Sequence, residues 1–356
     1  MSPAGGRPRL SFLTTAYRTE DYLAGTIASV LAQTHPAWEL VVVDNGNSDT
    51  IASIVRRSSR DERVRLVRQE NRGYRGGVMA AAAVACGDHL CVLDSDDEVM
   101  PEFTATVLDH LDAHPSVAAV GCDAQLVLDG DERPALRSYL ESLGSRPPAD
   151  GGDVLTVEDV LGGRVPYYTG AIRRDAWEAV GGYEPGVEDV DESVLIWLRL
   201  ARDFEVHLLP DRIARYRVRD GSLSRDPGKL EEFERSLIRT FEVFAEQSGD
   251  PQHRSIAQTP VRRLRYHRAL RRARWSFVDG DVDAARRLVR YAHAQRATLR
   301  AGAVLLLLHL PSGLLTRLHP LQQRLAEGGH RARQRILGWG SPLWLPARPG
   351  SGRDRA

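Results

Sequence analysis

Val92-Leu93-Asp94-Ser95-Asp96-Asp97 ends an apolar run that starts at His89, and it puts three carboxylates into four positions. The run itself, His89-Leu90-Cys91-Val92-Leu93, reads as the last part of a buried strand. Acids at the C-terminal end of a strand lie where open α/β sheets bind ligands. Asp94 and Asp96, two apart on extended chain, face the same side. Paired carboxylates of that kind suit a hard divalent cation that holds phosphate. A solvated acidic turn is satisfied by the same residues, so the flanking sequence has to decide.

Working outward, residues 10–15 and 38–43 are further apolar runs, each ending in a polar turn at 17–21 and 44–49. Helical spacing of Leu23, Ile27, Val30 and Leu31 predicts a helix over 22–33, and 51–57 starts another. Asp49 is placed to cap that second helix. A short strand at 64–67, a loop at 71–77 and an alanine-rich helix at 78–85 lead back to the acidic strand end. Strands alternating with helices of this size imply parallel β-α units with their polar strand ends on one edge. Beyond, 101–110 and 156–161 read as helices, 117–128 as strand and 129–153 as an excursion rich in Gly, Pro and charge. Helices are expected from 174 to about 181 and over 194–200, and after about 225 only helices follow.

A chain of 356 residues allows two domains. Its zero formal net charge gives no global reason to expect nucleic acid as a partner. Lys229 is the only lysine, which argues against lysine-based covalent chemistry. Cys86, Cys91 and Cys122 form no Cys-x-x-Cys pair and leave one over, the usage of a reducing compartment. Residues 1–9 lack the apolar core of a signal peptide. The run 301–310 is broken by Pro311 and falls short of the ~20 apolar residues of a membrane span. A cytoplasmic protein is the expectation.

Read in order, residues 10–17, 41–49, 71–73, 87–97, 181–183, 197–201 and 216–224 together resemble a family 2 glycosyltransferase of the GT-A fold. The likeness covers residues 9–225 and rests on the ordered set rather than on any one motif. It implies an α/β GT-A fold, a mixed central sheet flanked by helices, over 9–225. A helical, arginine-rich extension over 226–339 and a disordered tail over 340–356 follow. It also implies an inverting transferase that uses a nucleotide-diphosphate sugar and a divalent cation, Mn²⁺ or Mg²⁺. The expected product is a polysaccharide, glycolipid or other cell-surface glycan.

By the same resemblance, Asp96 matches the metal-ligand aspartate. Asp94 matches the aspartate near ribose and metal, with Ser95 beside it on the nucleotide-sugar side. Thr15 and Tyr17 match positions lining the base, where Tyr17 can stack. Asp44 begins the family's acidic pair, and Asn45 stands where a second aspartate usually reads the base. An amide still offers a donor and an acceptor. Val78 occupies the position of a phosphate-binding arginine, which leaves Arg75 or Arg72 to replace it. The segment from Tyr216 to Ser224 resembles Tyr-Arg-x-His-x-x-Ser-x-Ser, with Arg217 on the nucleotide-sugar side. Arg219 replaces the histidine; it cannot ligate metal but can pair with phosphate. Counting back from Trp197 puts Ser193 at the catalytic aspartate, so Glu192 or Asp191 is expected to take the acceptor's proton. Gly170-Ala171 and Gly181-Gly182-Tyr183 are expected to shape the acceptor side.

Residues 261–300 carry twelve arginines against three aspartates, on two helices expected at 262–278 and 282–297. Interleaved with Trp275, Phe277, Tyr291 and leucines, they suit an anionic lipid surface, with 305–308 and 314–315 resting in the interface. Peripheral attachment at the inner face of a membrane would bring the enzyme to a lipid-linked rather than a free saccharide acceptor. The other use of these helices is packing, on the catalytic domain or against a second copy in a homodimer. No nucleic-acid-binding motif is present. Two other functions compete with transfer. Ser193, Val78 and Arg219 suit a non-catalytic sugar-nucleotide-binding scaffold. A nucleotidyltransferase would need a basic glycine-rich loop where Thr14-Thr15-Ala16-Tyr17 stands.

Overall fold

The computed structural model describes residues 7–309 except 59, 130, 143, 144, 146, 147, 149–151, 167–169, 185 and 220–226. Two compact units divide the chain, Met1–Arg219 and Asp220–Ala356. The first begins with β1 (Leu10–Ala16), α1 (Leu23–Leu31), β2 (Trp38–Asn45), α2 (Asp49–Ser58), β3 (Val64–Gln69), α3 (Gly73–Val84) and β4 (His89–Val92). It continues with β5 (Glu98–Val99), α4 (Phe103–Ala113), β6 (Val117–Leu128), β7 (Asp131–Ser138), α5 (Tyr139–Ser142), β8 (Asp153–Val154) and α6 (Val157–Gly162). Finally come β9 (Ala171–Arg173), α7 (Arg174–Ala179), α8 (Glu192–Asp203) and β10 (Glu205–Val218). The second unit holds α9 (Pro227–Ser248), α10 (Pro251–Val278), α11 (Val282–Gln295) and α12 (Leu299–Leu307).

The strands form the mixed sheet expected, in the order β3-β2-β1-β4-β9-β6-β10-β5, with β7 on β6 and β8 on β10. Pairs β3-β2, β2-β1 and β1-β4 are parallel, while β9 runs antiparallel to both β4 and β6. β1 and β2 are buried along their whole length, which explains their nearly unbroken apolar runs. On one face, Phe12, Leu40 and Val42 pack with Ile27 of α1 and Phe103 of α4. Because β1, β2 and β4 are parallel, their C-terminal ends meet at one edge. Leu93 stays in register past the end of β4, donating to the Leu13 carbonyl at 3.0 Å. The acidic turn therefore starts on a rigid support.

Several elements differ from the sequence expectation. The loop expected over 71–77 is only half loop, since α3 starts at Gly73 (φ +71°) and carries Tyr74 and Arg75 on its first turn. Helix propensity disfavours the glycines there, but a Cβ at Gly77 would lie 2.2 Å from Thr15 Cγ2. Close approach of α3 to β1 outweighs propensity. The longest strand, β10, has no counterpart among the expected elements. Pro210 and its charged neighbours break the alternation, and register shifts on either side of Arg212 absorb them. In the 129–153 stretch, β7 returns along β6 instead of running as open loop. α10 begins at Pro251, not 262, and runs through Pro260, whose burial with Ala257, Val261 and Leu264 compensates for the missing N–H. The expected domain border at 225/226, the serines of the 216–224 element and the tail at 340–356 lie outside the described residues. Among the described residues no helix is long and apolar enough to cross a membrane.

Candidate functional site

The parallel edge of β1, β2 and β4 gathers Thr15, Tyr17, Asp44, Asn45, Asp94, Ser95 and Asp96. The acidic turn closes on itself when the Asp97 amide donates to the Asp94 carbonyl at 3.2 Å. Ser95 is buried and donates its hydroxyl to Thr19 Oγ1 at 3.0 Å. Carboxylate oxygens of Asp94, Asp96 and Asp97 all lie within 4.8 Å of one another. Such crowding has an electrostatic cost. Burial, then the neighbouring Asp96, pushes the Asp94 carboxyl up to about 7. Burial also raises Asp96, against the pull of Arg219.

Arginines from the end of β10 hold this turn. The Arg217 amide donates to Asp97 Oδ1 at 2.7 Å. Its guanidinium donates to the Asp96 carbonyl and to Glu98 Oε1, each at 3.2 Å. Arg219 pairs with Asp96 Oδ2 at 2.5 Å. Both guanidiniums lie against the Tyr22 ring, whose hydroxyl donates to Asp129 at 2.8 Å. In this state Arg217 braces backbone and Glu98, and Arg219 faces a carboxylate where the resemblance suggested phosphate.

On the β2 side, Asp44 is fully buried and accepts from Arg68 Nε and the Ser48 amide, each at 2.9 Å. Asn45 ties the following loop together. Its oxygen accepts from Gln69 Nε2 at 2.7 Å and the Arg72 amide at 3.1 Å, and its Nδ2 donates to the Gly73 carbonyl at 2.9 Å. The cap of α2 is Ser48, whose hydroxyl accepts from the Ile51 amide at 3.3 Å. Asp49, expected to cap, pairs with Arg68 instead. Tyr17 is 42% exposed and lies over Gly46, where a Cβ would come within 3.1 Å of its ring. An exposed aromatic face at a strand end is a platform on which a base can stack.

Opposite the turn stands an aromatic wall, of which only Tyr183 belongs to a motif read from the sequence. The Tyr74 hydroxyl donates to Asp94 Oδ1 at 2.6 Å. Its ring meets Tyr183 at 6.2 Å, and Tyr183 stacks on Trp177 at 5.4 Å between centroids. Tyr74 was missed because its helix was expected to start later. Arg75 pairs with Glu184 at 3.4 Å. Two of the glycines expected to shape the acceptor side are also required by packing. A Cβ at Gly170 would strike Trp197 at 2.4 Å, and one at Gly182 would strike Trp177 at 2.6 Å.

Asp191 is the N-cap of α8, accepting from the Val194 amide at 3.1 Å and from Ser193 Oγ at 2.5 Å. Its carboxylate therefore reaches the serine that stands at the family's aspartate position. Burial raises Asp191, and its charge adds to the upward shift of Asp94 after burial and Asp96. Glu192 is raised by burial first and by Asp191 next.

Residues 11–162 match the family described as Glycosyl transferase family 2. The succinoglycan biosynthesis protein ExoO of Rhizobium meliloti is 34% identical over 142 residues, which is 40% of this chain and 40% of that protein. The chain spans 40% or less of the length of curated relatives such as this one. Among solved structures, S. aureus TarS 1-349 in complex with UDP-GlcNAc superposes with a TM-score of 0.56 at 15% identity, covering 85% of this chain and 86% of that one. The mannosyltransferase PcManGT from Pyrobaculum calidifontis, in complex with GDP-Man and Mn²⁺, gives 0.54 at 20% identity, covering 88% and 84%. These likenesses establish the GT-A fold.

Proposed function

We propose, on the match of residues 11–162 to glycosyl transferase family 2, that the protein is a member of that family and an inverting glycosyltransferase. It moves a sugar from a nucleotide-diphosphate donor to a hydroxyl of a saccharide or lipid-linked acceptor, in the building of a cell-surface glycan. The observation that carries this reading is the oxygen-rich turn at Asp94, Asp96 and Asp97 with the half-buried Asp191 carboxylate close enough to act on it electrostatically. Relatives support the direction: one is named for succinoglycan biosynthesis, and fold neighbours hold UDP-GlcNAc or GDP-Man. Cytoplasmic placement belongs to the same reading, since Cys86, Cys91 and Cys122 are in the thiol form rather than in disulfides.

Asp191 takes the acceptor's proton as the oxygen attacks the anomeric carbon from the face opposite the diphosphate, and that direction of attack inverts the centre. Glu192 lies beside it and keeps the local potential negative. Tyr17 covers the base, while Asn45 and Asp44 hold the loop and turn beneath it. Tyr74 orients Asp94 toward the ribose side. The donor chemistry of Asp94, Asp96 and Asp97 fits Mn²⁺ or Mg²⁺, all hard oxygens within reach of one ion. A cation held by these three carboxylates would supply positive charge to offset that of the departing diphosphate. With Val78 buried, Arg75 and Arg219 carry guanidiniums that can turn from Glu184 and Asp96 to a phosphate.

Incubation with UDP- and GDP-sugars and either cation tests the function. Release of nucleotide diphosphate with a product of inverted anomeric configuration is expected. Binding without turnover would leave the scaffold reading, which Ser193 favours. UDP or GDP with Mn²⁺ is also expected to raise the thermal midpoint, more at pH 8 than at pH 6. The sign follows from Asp94: with its carboxyl raised to about 7, it is largely protonated at pH 6 and must lose that proton to a cation. A shift independent of pH, or one retained in Asp96→Asn, would remove the assignment.

Arg219→His tests the ion pair on Asp96. Replacing a fixed cation by a neutral ligand is expected to tighten Mn²⁺ binding on the order of tenfold, read from free Mn²⁺ by electron paramagnetic resonance. Unchanged or weaker binding would show that Arg219 does not compete with the metal.

A further inference from the structure

We propose that the exposed face of α12, with the arginines around its first turn, is a docking surface for an anionic phospholipid bilayer. The inference does not rest on the catalytic reading, because every residue in it belongs to the second unit. Helix α12 is a short helix with two unlike faces. Thr298 caps it, accepting from the Ala301 amide at 3.1 Å, and the Thr298 and Tyr266 hydroxyls share a hydrogen bond of 2.8 Å. That bond anchors the helix start to α10. Ala301 packs with Tyr266, Ala269 and Ala292, and Leu308 just past the helix packs with Ala273, Ala285 and Val289. The opposite face is apolar and open. Leu299 is 95% exposed and Leu306 is 74% exposed. Their spacing of seven puts them on one side of the helix, with exposed Ala303 between them.

An isolated exposed leucine needs no explanation. This pair has a charged collar. Arg263, Arg296 and Arg300 are all exposed, and none has an ion-pair partner among the described residues. They gather at the start of α12: Arg296 and Arg300 flank Leu299 along the chain, and Arg263 lies one turn from Tyr266 of α10, the residue bonded to Thr298; burial first, then these three and Arg271, holds the neighbouring His267 imidazole down to about 4. Arg271 differs from the others in being paired with Glu234. An exposed leucine face with arginines at its start that have no ion-pair partner among the described residues matches a bilayer with anionic headgroups, where acyl chains receive the leucines and phosphates receive the guanidiniums. A second copy of the same face would bring like charges together. A nucleic acid would leave both leucines in water.

The test is sedimentation of the full chain with vesicles of phosphatidylcholine alone, or with about one-third phosphatidylglycerol. Binding is expected only to the anionic vesicles, and to weaken as salt rises. Arg263→Glu/Arg296→Glu/Arg300→Glu is expected to lower partitioning on the order of 100-fold or more, and Leu299→Glu/Leu306→Glu at least about tenfold. All five side chains are exposed, so circular dichroism and nucleotide binding should match the unmodified protein. No binding to anionic vesicles would overturn the proposal. So would binding that neither variant weakens, the result expected if residues 310–356 cover the face or carry the contact. A dimer in light scattering that Leu299→Glu/Leu306→Glu dissociates, without vesicle binding, would assign the face to a second copy instead.

Discussion

Asp96→Asn is expected to lower kcat/KM for sugar transfer by about 10³-fold, leaving the fold intact. The amide keeps the size of the side chain and removes the charge. Removing a fixed electrostatic contact to the charge that develops on a leaving group costs about 10²–10³-fold, and loss of a metal ligand adds to that. Stability should move little. Asp96 pairs with an Arg219 side chain that is 30% exposed and can turn to water, and such partly exposed pairs contribute about 1 kcal/mol or less. Asp94 loses the like charge that helps raise it, which offsets part of the lost pair. Initial rates at saturating acceptor, with a thermal melt on the same sample, check both halves. Asp49→Asn is the control, since that side chain is 96% exposed, and should stay within about twofold. Transfer by Asp96→Asn at anything near the unmodified rate would end the metal assignment.

Asp191→Asn is expected to lower kcat by about 10³-fold, within the range for loss of a general base, with little change in the donor's KM. Asparagine caps a helix about as well as aspartate, so α8 keeps its start and the loss reports on chemistry. The pH profile gives a second readout. Only the ionised carboxylate accepts a proton, and burial raises its pKa. The rate therefore falls as pH drops through that raised value, and this limb should vanish in Asp191→Asn. Position 193 supplies a rescue. Asp191→Asn/Ser193→Asp returns a carboxylate to the serine position that Asp191 now reaches at 2.5 Å. It should recover at least about tenfold over the single variant. Glu192→Gln should lose less than about tenfold. If Glu192→Gln lost more than Asp191→Asn, the roles of the two acids would be exchanged.

Much of the first unit was legible before any coordinates. Apolar runs at 10–15, 38–43 and 89–93 are local signals, and their polar ends fall on one edge wherever parallel strands sit side by side. The turn at Asp94–Asp97 and the strand ends at Thr15 and Asp44 were therefore readable, while α8, expected over 194–200, starts two residues earlier at Glu192 on its Asp191 cap. β10 was not, because its alternation is broken by Pro210 and repaired only by bulges against β6. Nor was the antiparallel β9, whose three residues gain strand geometry from β4 and β6 on either side.

At the site, the sequence alone determined which residue types stand at the sheet edge: carboxylates at Asp94, Asp96 and Asp97, serine at 193, arginine at 219. Periodicity and strand ends are properties of neighbours along the chain, so one dimension suffices for them. Tertiary structure decided what each group faces. It set Tyr74 on Asp94, Arg219 on Asp96 and Asp191 on Ser193. It also left Leu299 in the open, with Arg296 and Arg300 exposed on either side of it along the chain. Burial and charge proximity act through space, and they appear only once distant segments are folded against one another.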